Sequence, residues 1–155
     1  MRPRSRGGMS LTSANPAAPP RIEFNYLAEP EDLAVMVGAA HETRRLARAS
    51  PFSEFARLEL YPGRALNGAR LEALIRRDVS TYHHASGTCR MGEDGDAGVD
   101  DAGRVHGVKG LSVVDASVMP SIPSANIHLT VLMMAERYVA DGLPRSQHLT
   151  AIAAD

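Results

Sequence analysis

The stretch GLSVVDASVMPSIP, residues 110–123, gives the strongest indication of the fold. Its apolar run at residues 111–114 predicts a short buried strand that ends at Asp115 and is followed by small residues. In α/β folds, a carboxylate at the carboxyl end of a strand commonly contacts a nucleotide ligand. The simpler alternative is that Asp115 only caps a turn. The stretch therefore makes Asp115 a candidate ligand-binding residue of the kind found in α/β folds.

The stretch that follows, PSANIHLTVLMMAER at residues 123–137, predicts the start of the last helix. Ser124, Asn126 and His128 fall where the free backbone N–H groups of a helix favour negative charge. Asn126 can both donate and accept hydrogen bonds. Two interpretations stay open, namely a helix end that binds a ligand, or a helix that Ser124 or Asn126 only caps. We expect this helix to extend from about residue 126 to residue 141.

Upstream, the stretch YHHASGTCRMG at residues 82–92 brings together His83, His84 and Cys89. A metal site built from these residues and His106 is disfavoured, because adjacent histidines rarely bind one metal and the spacing matches no zinc site. A Cys–His nucleophile pair is also disfavoured, since free cysteines are more often simply buried. Two interpretations remain. One histidine acts as a general base, or the histidines only cap backbone groups of a loop.

The first half of the chain predicts a mixture of strands and helices. Polar and apolar residues alternate at residues 8–13 and 21–26, which is typical of strands. Pro30, followed by two acidic residues, predicts the first turn of a helix that ends before Pro51. Asn67 is expected to cap a second helix.

The composition is that of an ordinary globular protein and excludes several functions. The chain has 155 residues, of which 44% are hydrophobic and 23% charged, and its formal net charge is −1. The chain therefore lacks the excess of positive charge that is typical of proteins that bind nucleic acid or anionic lipid. The longest apolar run, near residues 131–135, is too short to span a membrane, and the acidic loop at residues 91–104 lacks the spacing of a calcium site. Without a secretory signal, we expect a cytoplasmic protein.

Three motifs follow one another along the chain, and their order is more specific than any one of them alone. They are HASGTCRMG at residues 84–92, RVHGV and GLSVVDASVMP at residues 104–108 and 110–120, and NIH leading into MAER at residues 126–137. In this order they resemble the C-terminal segment of the glucose–methanol–choline (GMC) oxidoreductases, which are flavoenzymes that oxidise alcohols. SRGG at residues 5–8 and PPRI at residues 19–22 are also similar to the family, so the resemblance covers nearly the whole chain.

The resemblance implies a fold and a division of the chain. The fold would be α/β with α+β character, and residues 1–80 would be part of a substrate-binding domain built on an antiparallel sheet. Residues 81–145 would complete the FAD-binding domain with one strand and one helix, and residues 146–155 would form a flexible tail. The G-x-G-x-x-G motif that binds a dinucleotide pyrophosphate does not occur in the sequence. We therefore expect the C-terminal portion of a longer enzyme, with an N-terminal FAD-binding polypeptide as its partner.

The resemblance also implies roles for individual residues. His84, three residues before a Gly-Thr pair, matches the catalytic histidine that helps to accept the hydroxyl proton while a hydride leaves the substrate carbon for the flavin. Asn126 matches its partner, which hydrogen-bonds the substrate oxygen, and His128 matches a position near the flavin pyrimidine ring. Asp115 and Ala116 match the turn that approaches the cofactor. The cofactor-binding candidates are Asp115, Ala116, Asn126 and His128.

The implied substrate is a small-molecule alcohol, and from the spacing of the histidines and the cysteine we expect no metal. Hydride transfer needs an acceptor that no side chain supplies, so a cofactor must supply it, and histidine titrates in the range suited to a base. Two alternatives stay open. His128 rather than Asn126 could be the second catalytic group, and the chain could be a non-catalytic remnant or one half of a split enzyme.

Overall fold

The computed structural model describes residues 2–142, and the chain divides into two compact units. The first unit extends from Pro3 to Tyr82, and the second comprises Arg2 and, within the described chain, residues 83–142. The described residues form helices and a small antiparallel sheet, so the predicted mixture of α and β elements is confirmed. The tail predicted at residues 146–155 lies outside the described residues. Within residues 2–142, no helix has the length and apolar character needed to cross a membrane.

The first unit contains the sheet and two α-helices. Strands β1 (Gly8–Ser10) and β2 (Arg21–Glu23) pair in an antiparallel arrangement. Helix α1 spans Pro30–Ala47, a 3₁₀ turn follows at Phe52–Glu54, and helix α2 spans Ala69–Asp78. Both predicted strands are confirmed in position, although each pairs over only three residues.

Helix α1 begins where its sequence predicts, and a buried carboxylate ties it to the start of the chain. Pro30, Glu31 and Asp32 form its first turn, where proline and acidic residues are favoured. The Asp32 residue is 5% exposed. Its carboxylate accepts hydrogen bonds from the backbone N–H groups of Arg4 at 2.9 Å and Ser5 at 2.7 Å, and from the Ser5 hydroxyl. Burial raises the pKa of Asp32, but these hydrogen bonds outweigh burial and hold the pKa below its usual value.

The Arg44 side chain attaches the loop between α1 and α2 to the side of α1. Its Nε donates to Glu59 Oε1 at 2.9 Å, and its Nη2 donates to the carbonyl oxygens of Gly63 at 3.1 Å and Leu66 at 3.0 Å. Only 10% of the Arg44 side chain is exposed. Because an unpaired buried guanidinium would be costly, these partners and Arg44 hold one another in a fixed arrangement.

Asn67 has a different role from the one its sequence predicts. The prediction that it caps α2 is wrong, because the N-cap is Gly68 at φ 54° and no side chain caps the helix. The Asn67 Oδ1 instead accepts a hydrogen bond from Arg44 Nη1 at 3.0 Å. A long-range contact therefore occupies the side chain that the local pattern assigns to the cap, and glycine adopts the left-handed backbone that is needed there.

The second unit is built around a small apolar core of Val99, Val118 and Tyr138. Helix α3, His128–Ala140, supplies Tyr138, and a 3₁₀ turn at Ala116–Val118 supplies Val118. The start and end of α3 lie within two residues of the predicted bounds. The half-buried apolar residues packed against this core are Met91, Val105, Val113, Val114 and Met134.

Residues 111–114 do not form the predicted strand. Only Ser112 makes a β-bridge, with Arg104, while Val113 and Val114 pack against the core. The apolar character of this run does reflect burial, but a strand also needs a neighbouring backbone along its length. The Val105 N–H donates to the Leu111 carbonyl at 3.0 Å and the Val113 N–H to the Gly103 carbonyl at 2.8 Å, so the pairing of the described chain here is limited to the single bridge at Ser112.

Replacing Asp32 by asparagine should lower the free energy of unfolding at neutral pH by about 2 kcal/mol, because a neutral amide cannot accept all of these hydrogen bonds. Since folding lowers the pKa of Asp32, its contribution is present above the unfolded-state pKa and is lost as the pH falls through the folded-state pKa. Urea denaturation across the acidic range should therefore show a steeper loss of stability in the wild type than in Asp32→Asn. Glu31→Gln, at an exposed neighbour, is the control, and an equal acid response in wild type and Asp32→Asn would contradict the assignment.

Gly103 and Gly110 offer a matched test of core packing. They have φ of +74° and +76°, but a Cβ at Gly103 would lie 2.8 Å from the Val113 carbonyl oxygen, whereas a Cβ at Gly110 would meet nothing within 4 Å. Gly110→Ala should cost only the left-handed strain, about 1 kcal/mol, and Gly103→Ala about 2–3 kcal/mol. Urea unfolding midpoints measure the difference. Equal losses in the two variants would show that the close approach at Gly103 does not limit stability.

Candidate active site

The stretch at residues 84–92 is held against the Ala116–Val118 turn by three backbone hydrogen bonds. The N–H groups donate from Gly87 to the Ala116 carbonyl at 3.3 Å, from Cys89 to Ser117 at 3.0 Å, and from Met91 to Val118 at 2.8 Å. On the other edge of the stretch, the Gly98 N–H donates to the Arg90 carbonyl at 2.9 Å. We call the three bonds between residues 87–91 and 116–118 the site ladder. Because it ends at the buried Val118, it fastens the stretch to the core.

His84 lies at the start of this stretch and is half-buried, whereas its neighbour His83 is exposed. His83 has a φ of 59°, a left-handed conformation that is uncommon for a residue other than glycine. Backbone strain of this kind concentrates at functional sites. The bond between Gly87 and Ala116 brings the His84 segment next to the turn that contains Asp115 and Ala116.

Asp115 caps the 3₁₀ turn, as the simpler interpretation of the sequence predicts. Its Oδ1 accepts a hydrogen bond from the Ser117 N–H at 2.7 Å, and the residue is exposed. Any contact of Asp115 or Ala116 with a cofactor stays a prediction.

The start of α3 lacks a side-chain cap. Its N-cap is Ile127, and no side chain hydrogen-bonds there, so the interpretation that Ser124 or Asn126 only caps the helix is wrong. Asn126 and His128 flank this end of the helix, and both are exposed. The first-turn N–H groups and the helix dipole therefore favour an electron-rich group at this position.

The candidate residues fall into two groups that share one core. The site ladder associates His84 with Asp115 and Ala116, and the first turn of α3 presents Asn126 and His128. Val118 in the ladder and Tyr138 in α3 belong to the same core cluster. A cavity of about 620 Å³ in this unit is lined by both apolar and charged residues, four of them methionines, and none of His84, Asn126 and His128 is among its described lining residues.

Local hydrogen bonds hold the acidic loop at residues 91–104. Arg90 Nη1 donates to Asp94 Oδ2 at 2.9 Å, and this hydrogen bond lowers the pKa of Asp94 to about 2. His106 Nε2 lies 3.0 Å from the Gly92 carbonyl oxygen. Across residues 2–142, no three or more His, Cys, Asp or Glu side chains are grouped so that they could hold a metal ion.

Two features of the site were not predicted from the sequence. The site ladder uses the N–H groups of the alternate residues 87, 89 and 91. In the sequence this alternation only weakly predicts a strand, because the residues that alternate with polar Thr88 and Arg90 include a glycine and a cysteine. Val99 is buried, at 0% exposure, although the acidic residues and glycines around it predict a solvent-exposed loop.

The family model described as GMC oxidoreductase matches residues 3–135 of the chain. The chain belongs to the GMC oxidoreductase family. The resemblance that the three motifs predict is therefore confirmed, and it extends through both units.

Relatives of known activity and structure share this GMC segment. The oxygen-dependent choline dehydrogenase of Ectopseudomonas mendocina is 41% identical over 150 residues, which cover 96% of this chain and 26% of that enzyme. The crystal structure of pyridoxine 4-oxidase from Mesorbium loti superposes with a TM-score of 0.85 at 32% identity, over 94% of this chain and 29% of that chain. An FAD-dependent oxidoreductase from Chaetomium thermophilum gives a TM-score of 0.81 at 27% identity, over 90% of this chain and 24% of that chain. The chain thus spans about a quarter of the length of these GMC proteins.

Proposed function

We propose that the chain is the C-terminal portion of an FAD-dependent oxidoreductase that oxidises an alcohol by hydride transfer to the flavin. The main support is the match of nearly the whole chain, 96% and 94% of it, to relatives named for oxidising choline and pyridoxine. Both compounds contain a primary alcohol. When bound, the flavin supplies the hydride acceptor that no amino-acid side chain provides.

The second unit contains donors that suit this cofactor. A flavin ring gains negative charge on reduction, and the uncapped start of α3 with exposed Asn126 and His128 offers hydrogen-bond donors and the positive end of a helix dipole. The turn at Asp115 and Ala116 would approach the cofactor beside the site ladder. We propose that these four residues contact the flavin part of FAD.

In the proposed mechanism, His84 acts as the general base. One nitrogen of its imidazole accepts the hydroxyl proton of the alcohol and later releases that proton to solvent. His84 is half-buried and lies three residues before Gly87, the first residue of the site ladder. The Asn126 carboxamide donates a hydrogen bond to the substrate oxygen, which stabilises negative charge on that atom as the proton leaves. His128 is the alternative donor for this second role.

A polypeptide partner is part of the proposal. Leu129, Leu132 and Met133 on α3 are large apolar residues that are exposed, and a contiguous exposed apolar face typically marks a protein interface. The chain spans about a quarter of its relatives and contains no G-x-G-x-x-G motif. We therefore propose that an N-terminal FAD-binding polypeptide covers this face of α3 and supplies the rest of the FAD site.

His84→Ala should lower alcohol turnover by about 10²-fold or more in the enzyme assembled with that N-terminal polypeptide, because the variant lacks the general base. His83→Ala, one residue away and exposed, is the matched control and should retain turnover. Turnover is measured over a panel of alcohols with an artificial dye acceptor, and flavin absorbance gives the FAD content of each protein.

Equal turnover of the wild type and His84→Ala at equal FAD content would contradict the assigned base. A larger loss in His83→Ala than in His84→Ala would transfer the role to His83. An assembled protein that holds FAD but oxidises no alcohol in the panel would support the rival hypothesis, a non-catalytic remnant.

A further inference from the structure

A second cavity, in the first unit, is lined by basic residues that the proposed redox chemistry does not use. Its volume is about 390 Å³. The lining residues are His41, Arg44, Arg45, Arg48, Arg64 and Asn67. A concave site with this composition is suited to an anion rather than to an apolar ligand or a metal cation.

Two segments of the chain converge on this cavity, which we call the basic cavity. Residues 41, 44, 45 and 48 follow one another at steps of three, one and three, so they share one face at the C-terminal end of α1. Arg64 and Asn67 come from the loop before α2. Arg44 ties this loop to α1 through Gly63, Leu66 and Asn67, so Arg64 is kept beside the helix by a fixed contact.

The carboxylates beside the basic cavity neutralise only part of its charge. Glu59 pairs with Arg44 at 2.9 Å, and Glu42 pairs with Arg45 at 2.7 Å. Among the described residues, Arg48 and Arg64 form no ion pair. Four guanidinium groups and two carboxylates leave an excess of two positive charges at the rim.

The helix dipole accounts for only part of this arrangement. Cations are favoured near a helix C-terminus, which explains arginines at positions 44, 45 and 48. It does not explain Arg64, which approaches the same cavity from a loop. Like charges that share a cavity repel one another, and a bound anion would relieve this repulsion. Guanidinium groups also match the oxygen geometry of a phosphoryl group, to which they can donate two parallel hydrogen bonds.

We propose that the basic cavity binds the phosphoryl group of a small soluble anion through Arg48 and Arg64. Arg44 is the positioning residue, since its buried contacts hold the Arg64 loop in place. The inference does not depend on the redox function, because all its residues lie in the first unit.

Calorimetric titration of the full chain with inorganic pyrophosphate, at constant ionic strength, tests the proposal. The Arg48→Gln/Arg64→Gln variant should bind at least about 10-fold more weakly than the wild type, because it lacks both charge-assisted contacts. Arg48→Lys/Arg64→Lys should bind with intermediate affinity, since the charge remains but the bidentate geometry does not. Arg70→Gln/Arg77→Gln is the control for net charge, because it removes the same number of charges from exposed residues of α2. Its affinity should equal that of the wild type.

Three results would overturn the proposal. The first is the absence of pyrophosphate binding to the wild type at millimolar concentration. The second is an equal loss of affinity in Arg70→Gln/Arg77→Gln, which would reduce the effect to net charge. The third is binding to vesicles that contain an anionic phospholipid without any binding of pyrophosphate, which would make the face a membrane contact. Thermal unfolding of each variant separates a loss of binding from a loss of folding.

Discussion

The site ladder is the contact on which the arrangement of the second unit depends. Three N–H groups from the stretch that contains His84 donate to three consecutive carbonyl groups of the turn that follows Asp115. Both segments are otherwise loop-like, so their relative position depends on these bonds and on the burial of Val118. The ladder explains how a chain with little regular sheet holds a histidine and a candidate cofactor turn side by side.

Buried polar groups have a comparable role in the first unit. Asp32 fastens the start of the chain to α1, and Arg44 fastens the loop before α2 to the other end of the same helix. The buried apolar residues here are few, namely Leu27, Leu33 and Leu71, so hydrogen bonds to buried charged groups contribute a large share of the order. By holding the loop against α1, Arg44 also brings the arginines of two segments to one cavity.

The features that the sequence predicts well are those governed by local rules. Pro30 and the acidic residues after it mark the start of α1, and the three ordered motifs identify the family without any knowledge of the fold. The features predicted wrongly depend on distant partners. Asn67 looks like a cap but pairs with Arg44, and residues 111–114 look like a strand but find one bridging residue in the described chain. The local sequence pattern predicts which residues are buried and which are polar. It does not predict which distant residue each of them contacts.

The most direct test of this account is hydrogen–deuterium exchange at the amides of Gly87, Cys89 and Met91, measured residue by residue in the full chain. If the site ladder holds the His84 stretch on the core, these three amides should exchange at rates similar to those of central α3 amides, at least about 10-fold more slowly than exposed loop amides. Exchange at the rate of an open loop in all three would contradict the account, because the His84 stretch would then have no fixed position beside the turn at Asp115.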